Sequence, residues 1–347
     1  MLFSRRRTLK DFSRECGISV SAVSRILNGK STYCSASTRE KVLSLARLWN
    51  YKPNIGYRIM TGMPTNITAI IFSQNRTTYL ETNLRIFIEL LNTLSTHEYA
   101  TYSAIMTKDS EENFQKYLEL ERKGCRSFIF IGHAIGIERI LENIKNADYH
   151  YVGINVSYNP GSPQIKLFCQ KNFTFDETAA IFSYLELFKK QGRNNFRILA
   201  PQEYFTGRVL PYAENHQDAE NLSCKHLDIP ACEFPDSDGF DARYDSAGKT
   251  IEQAFREDST IDGVICITDF HALGVAHFLH KAGKKVGEEV LVCGMSNTTA
   301  ARFSLLPITT CNYNMEKIAE EIIKGLFDKE EFFKLIKPEL INHDRGE

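Results

Sequence analysis

From Ile67 onward the chain alternates short apolar runs with longer amphipathic stretches, and this alternation limits the possible folds more than any other feature. The runs are "ITAIIF", "SFIFIG", "YHYVGIN", "FRILA", "GVICIT" and "EVLVCGM". Each has the length of a strand and is largely apolar throughout, as strands buried in parallel sheets are. Between them lie "LRIFIELLNTLSTH", "TAAIFSYLELFKKQG", "KTIEQAFRED" and "ALGVAHFLHKAG", which read as helices. Such alternation specifies parallel sheets with helices on both faces. At 347 residues the chain is too long for one ordinary domain. Two doubly wound parallel-sheet lobes account for the part beyond residue 65. Ligands of such folds bind at the C-terminal ends of strands, here in a cleft between lobes.

The first sixty residues differ in charge and in period. They hold twelve Lys or Arg against three Asp or Glu, a net +9, so the remainder carries −1 − 9 = −10. A basic module on an acidic body suits a polyanion. Within it, "TLKDFSRECGISVSAVSRILN" reads as two short helices. Thr8 caps the first, with Asp11 three residues on, and Leu9, Phe12 and Cys16 share its apolar side. Gly17 breaks it, and Ser19 caps the second. Val23, Ile26 and Leu27 pack, while Val20, Ser21, Ser24, Arg25 and Asn28 lie on the other side. Small residues there let the backbone approach a flat partner, as when a helix enters a DNA major groove. Arg25 can donate two hydrogen bonds to guanine or hold a phosphate. A third helix, "STREKVLSLARLWN", closes the mini-core through Val42, Leu45 and Leu48. The competing reading is a protein-binding helical bundle.

Other classes find less support. The nine cysteines form no CxxC pair, which favours reduced thiols in a cytoplasm. No apolar run reaches the roughly 18 residues a membrane span needs, and "MLFSRRR" lacks the apolar segment of a secretory signal. P-loop, HExxH and GxSxG patterns do not occur. His271, His277 and His280 read as surface or helix-flank residues, so neither a metal nor a cofactor is expected.

"TLKDFSRECGISVSAVSRILNG" followed by "STREKVLSLARLWNYKPN" resembles the headpiece of the lactose-repressor/galactose-repressor family of bacterial transcription regulators. The shared elements are the initial Thr, G-[VI]-S, VSR, N, TR..V and Tyr-x-Pro-Asn, in order, with one extra residue between Asn28 and Thr38. The resemblance implies that Thr8, Ser19, Ser24, Asn28, Ser35, Thr38 and Tyr51 contact or position the DNA backbone. It implies that Val20 and Ser21 read base edges beside Arg25, and Asn54 falls in the same set. The following "YKPNIGYRIMTGMP" matches the hinge, which forms a paired helix on DNA and wedges a side chain into the minor groove. Met60 stands at the wedge. Tyr57 replaces a small residue and could either crowd the pair or add a stacking contact.

The resemblance continues more weakly through "CITDFHALGVAHFLHKAGKKVGEEVLVCGMSN", "PITTCNYNMEKIAEEIIKGL" and "PELINHDRGE", and implies a body similar to periplasmic sugar-binding proteins. The implied division is a helix-turn-helix headpiece over 5–50 and a hinge over 51–64. A first lobe takes 65–168 and 313–338, and a second takes 169–312 and 339–347. Ten residues follow Lys337, so no further tetramer-forming helix is expected. In the cleft, Arg208 matches a family arginine that commonly binds ligand. Thr268 and Ser296 fall where asparagine and aspartate are usual, and Lys171-Asn172 replaces Asp-Asn. Asp269 reads as the cap of a helix starting at Phe270. Phe72, Ser73, Asn75, Tyr79 and His133 are the remaining strand-end candidates for the effector.

The expected function is a cytoplasmic regulator, in the repressing sense, bound as a homodimer to a near-palindromic double-stranded DNA operator. A small molecule, such as a sugar or sugar derivative, would set its operator affinity. Loss of the aspartate at Ser296 favours an anionic or less hydroxylated ligand, and the absence of any effector stays open. The rivals are a ligand-binding protein with a vestigial headpiece and an enzyme using the cleft.

Overall fold

The computed structural model describes residues 7–27, 34–49, 51, 65–73, 80–132, 134–156, 169–210, 225–229 and 239–342. The chain divides into two compact units, Met1–Thr65 and Asn66–Glu347.

The first unit contains α1 (Leu9–Cys16), α2 (Val20–Leu27) and α3 (Ala36–Leu48). A full capping box starts α1. The Thr8 side chain accepts from the Asp11 amide, and the Asp11 carboxylate accepts from the Thr8 amide at 2.8 Å. Gly17, at φ 70°, ends the helix in the left-handed conformation that a side chain would disfavour. Phe12, Val23, Ile26 and Val42 are buried together. Both Trp49 and Tyr51 set their rings edge-on to Phe12 at 4.7 Å. The expected packing role of Leu48 is corrected, since that side chain is 78% exposed. Val42 and Trp49 are seven residues apart, two helical turns, so they share a face that Leu48 misses by one position.

The second unit contains β1 (Ile67–Phe72), α4 (Leu80–Thr96), β2 (Ala100–Ile105), α5 (Ser110–Arg122), β3 (Ser127–Ile131), α6 (Ile137–Asn146), β4 (His150–Ile154) and β5 (Lys171–Phe175). Then come α7 (Glu177–Lys190), β6 (Phe196–Ala200), β7 (His226–Asp228), α8 (Gly239–Glu257), β8 (Gly263–Cys266), α9 (Asp269–Lys281) and β9 (Leu291–Cys293). The one-turn α10 (Thr299–Arg302), β10 (Thr309–Asn312), α11 (Met315–Phe327), β11 (Phe332–Ile336) and β12 (Glu339–Asn342) complete it.

Two six-stranded sheets form, in the orders β11-β5-β4-β3-β1-β2 and β12-β10-β9-β8-β6-β7. All pairs are parallel except β10 with the closing β12, which is antiparallel. The chain passes from the first sheet to the second after β5, returns after β10, and leaves again between β11 and β12. This corrects the expected boundary at 168/169, because Lys171–Phe175 is a strand of the first sheet, in register with β4 and β11. Its polar residues obscure it in the sequence. They are satisfied inside: Lys171 Nζ donates to the Leu326 and Asp328 carbonyls at 3.0 and 2.6 Å, at the C-terminus of α11. Asn172 accepts from the Val156 amide at 3.1 Å and donates to Thr174 at 2.8 Å.

Close helix packing in the second lobe depends on Gly274, where a Cβ would strike the Tyr244 carbonyl of α8. Among the described residues no helix is long and apolar enough to cross a membrane.

Candidate functional sites

One candidate surface lies on α2. Val23 and Ile26 are buried against the mini-core, which fixes the helix rotation. The opposite stripe holds Val20, 39% exposed, with Ser21 and Arg25 exposed and Ser24 half-buried. The Ser19 oxygen accepts from the Ala22 amide at 3.2 Å and lies 3.0 Å from the Ser21 hydroxyl. The N-terminus of α2 is thereby capped and presents small groups, followed one turn later by a cation. At the start of α3 the Ser35 oxygen caps the Thr38 amide at 3.2 Å, with the Ser37 and Thr38 hydroxyls 3.0 and 2.8 Å away. Hydroxyls at the positive end of a helix suit a phosphate.

The other headpiece candidates are placed differently. The Thr8 hydroxyl donates to Asp11 at 2.9 Å, and Tyr51 is half-buried on Phe12, so both build the headpiece. Asn28, Asn54, Tyr57 and Met60 lie outside the described residues. Sequence reasoning missed Arg7, whose guanidinium lies 4.8 Å from the Trp49 ring centre. The chain's single tryptophan, at helical spacing from Val42, was the available signal.

The second candidate site is the C-terminal edge of the two sheets. Phe72 ends β1 and packs edge-on to Phe87 at 4.8 Å. The Ser73 amide donates to the Ile131 carbonyl at 2.9 Å. Thr268, only 4% exposed, is the N-cap of α9, with its oxygen 3.2 Å from the His271 amide and 2.8 Å from His271 Nδ1. The expectation that Asp269 caps this helix is therefore corrected: the cap is one residue earlier. The expected surface position of His271 is corrected too, since it is buried beneath that cap, whereas His277 and His280 are exposed.

Asp269 is fully buried and accepts from the Thr298 amide and the Thr310 hydroxyl, each at 2.6 Å. Burial raises its carboxyl to about 7, against the lowering effect of those two hydrogen bonds. Ser296, 8% exposed, has φ 94°, and Asn297 follows at φ 47°. Two consecutive left-handed non-glycine residues store strain, each at a cost of about 1–3 kcal/mol. Lys171 and Asn172, read as replacing a ligand-binding pair, are committed inside the first lobe as described. The backbone of Arg208 lies in a π-helix, Phe205–Val209, and its side chain is outside the described residues. Asn75, Tyr79 and His133 are also outside them. Sequence reasoning missed Glu81 and Arg85 of α4, which hydrogen-bond to the segment around Ser296, more than 200 residues away.

Two family patterns match this chain. "Bacterial regulatory proteins, lacI family" covers residues 8–54, the headpiece with its α2 stripe. "Periplasmic binding protein-like domain" covers residues 185–330. Residues 8–54 thus carry the headpiece of the lacI family of bacterial regulatory proteins.

Similar proteins include catabolite control protein A of Priestia megaterium, 24% identical over 335 residues, spanning 93% of each chain. The HTH-type transcriptional repressor PurR of Histophilus somni is 24% identical over 327 residues, 93% of this chain and 92% of that one. Among solved structures, the lac repressor dimer bound to operator and an anti-inducer superposes with a TM-score of 0.67 at 16% identity, covering 97% and 98% of the two chains. The regulator CelR in its cellobiose complex gives 0.59 at 19% identity, with the same coverage. These superpositions carry the fold, and the headpiece match carries the family's DNA-binding regulatory function.

Proposed function

We propose that this lacI-family regulator is a homodimeric repressor whose two headpieces bind the halves of a near-palindromic operator. The observation that carries the reading is the α2 stripe of Val20, Ser21, Ser24 and Arg25 turned away from a core built by Val23 and Ile26. In the helix-turn-helix geometry such a stripe enters the major groove. Val20 offers apolar contact to a thymine methyl, Ser21 a hydrogen bond, and Arg25 a bidentate pair to guanine or a phosphate grip. Ser35 and Thr38 at the start of α3 then hold backbone phosphates. Residues 51–64 act as the hinge, with Met60 as its minor-groove wedge and Asn54 at its entrance.

The two-lobed body is read as the sensor of a small molecule. CelR is solved with cellobiose, and the fold shared with it supports a ligand of the sugar class for this cleft. Arg208, Ser296, Phe72 and Ser73 stand on the segments where such a ligand would sit. Thr268, the N-cap of α9, is the further candidate at that edge. An effector changes operator affinity only if it prefers one lobe arrangement over the other. Enrichment of operators from a random DNA pool, followed by thermal-shift screening of sugars, sugar phosphates and sugar acids, tests both halves. Absence of any enriched sequence would remove the DNA reading. A neutral sugar that binds equally well to Arg208→Ala would remove Arg208 from the site.

A further inference from the structure

The two lobes are joined by covalent crossings and also by two side chains of one helix. Glu81 and Arg85 lie one turn apart on α4, at the end of that helix nearest β1. Both reach the segment between β9 and α10 in the other lobe. Arg85 Nη1 donates to the carbonyls of Ser296 at 3.2 Å and Asn297 at 3.5 Å, and Nη2 donates to Asn312 Oδ1 at 3.1 Å. Glu81 Oε1 accepts from the Thr299 amide at 2.6 Å and the Thr299 hydroxyl at 2.9 Å. One guanidinium and one carboxylate from the first lobe thus satisfy five groups of the second.

The receiving segment is built for this. Ser296 and Asn297 are both left-handed, a strained turn that aims two successive carbonyls at one guanidinium nitrogen. Its own lobe anchors the far side. Asp269 holds the Thr298 amide at 2.6 Å and Thr310 at 2.6 Å, and the Thr310 oxygen accepts from the Asn297 amide at 3.1 Å. Residues 296–299 are therefore held by Asp269 and Thr310 on one side and by Glu81 and Arg85 on the other. The planar fork of arginine matters here, because one head spans two elements, the turn and the end of β10. All three of its acceptors are neutral oxygens, and hydrogen bonds to an ionised donor are stronger than neutral ones.

We propose that Glu81 and Arg85 form an inter-lobe clasp that closes the cleft without any ligand, so that an effector acts by completing or breaking this clasp at Ser296. In its link to DNA this rests on the reading of the lobes as an effector sensor. The clasp itself rests only on the contacts above. Any ligand reaching the 296–299 turn meets a segment already gripped from both lobes. Its differential affinity for the clasped and unclasped states is then the coupling between cleft and hinge.

The test uses the full chain. Spin labels on non-cysteine anchors at Lys108 in the first lobe and Lys249 in the second, both exposed, report lobe separation. Ligand-free wild type should give one short distance. Arg85→Ala, and Glu81→Ala separately, should raise the long-distance population about tenfold or more. Arg85→Lys should fall between, because an ammonium cannot span both acceptor groups. Hydrogen exchange at the Thr299 amide should accelerate in Glu81→Ala and stay slower in Glu81→Gln, whose oxygen can still accept. The melting temperature of each variant separates clasp loss from unfolding. Unchanged distances together with unchanged Thr299 exchange in the double variant would overturn the clasp, whatever happens to operator binding. Opened lobes with unaltered operator affinity would leave the clasp standing and overturn the sensor reading.

Discussion

The α2 face and the cleft treat their polar residues in opposite ways. On α2, Val20, Ser21 and Arg25 are exposed on a helix whose position Val23 and Ile26 already fix. At the cleft, Thr268 caps a helix and Asp269 holds a loop, both largely buried. The α2 face keeps its recognition groups separate from the groups that fold it. The cleft builds its walls from the same kinds of residue it would offer a ligand. A substitution on α2 should therefore change recognition and spare stability, whereas one at the cleft should change stability first.

The largest break of that contrast comes from the headpiece interior. Phe12→Ala removes the ring on which Trp49 and Tyr51 pack and should cost about 3–5 kcal/mol. In a small three-helix unit this abolishes the fold and operator binding together. Calorimetry should show the body's transition unmoved. A body that melts earlier would mean the two units are energetically coupled.

Asp269 sharpens the cleft side. Its carboxyl lies near 7 in the folded chain against 3.8 as a free side chain, so the folded state keeps its proton to higher pH than the unfolded one. Its contribution to stability is full below about pH 4 and is lost as pH rises through about 7. Glu81 is a nearby negative charge acting in the same upward direction. Melting the body across pH 4–8 should show this decline, flattened in Asp269→Asn. An identical slope in the variant would remove Asp269 as its source.

Thr268→Ala separates the two roles open to this residue, helix cap and ligand group. It should lower body stability by about 0.5–2 kcal/mol, the range for loss of an N-cap, and leave operator sequence preference alone. If it instead abolishes effector binding at unchanged melting temperature, Thr268 belongs to the site after all.

Much of this architecture was legible because it is local. Ile67–Phe72, Ser127–Ile131 and Phe196–Ala200 are strands where the apolar runs lie, and α2 has the predicted buried and exposed sides. Ala100–Ile105 was harder to see, since it is an edge strand with four of six residues exposed and no apolar run. Lys171–Phe175 was hidden by a lysine and an asparagine whose partners come from α11 and the 155–156 turn. Leu48 was misassigned by one helical position, which spacing alone does not settle near a helix end. Glu81 and Arg85 carried no signal, because their partners lie 211–227 positions away and two of the three Arg85 acceptors are backbone carbonyls that any residue would supply.

We infer that α2 reads DNA through an outward face that the fold does not need. It is tested most directly by selecting operators from a random duplex pool with wild type, with Arg25→Ala and with a Val20/Ser21 double substitution. Wild type should enrich a near-palindrome. Arg25→Ala should weaken binding to it by about 1–3 kcal/mol, and the double variant should enrich altered half-site bases, all at unchanged headpiece stability. The same enriched sequence and the same affinity for all three proteins would contradict it.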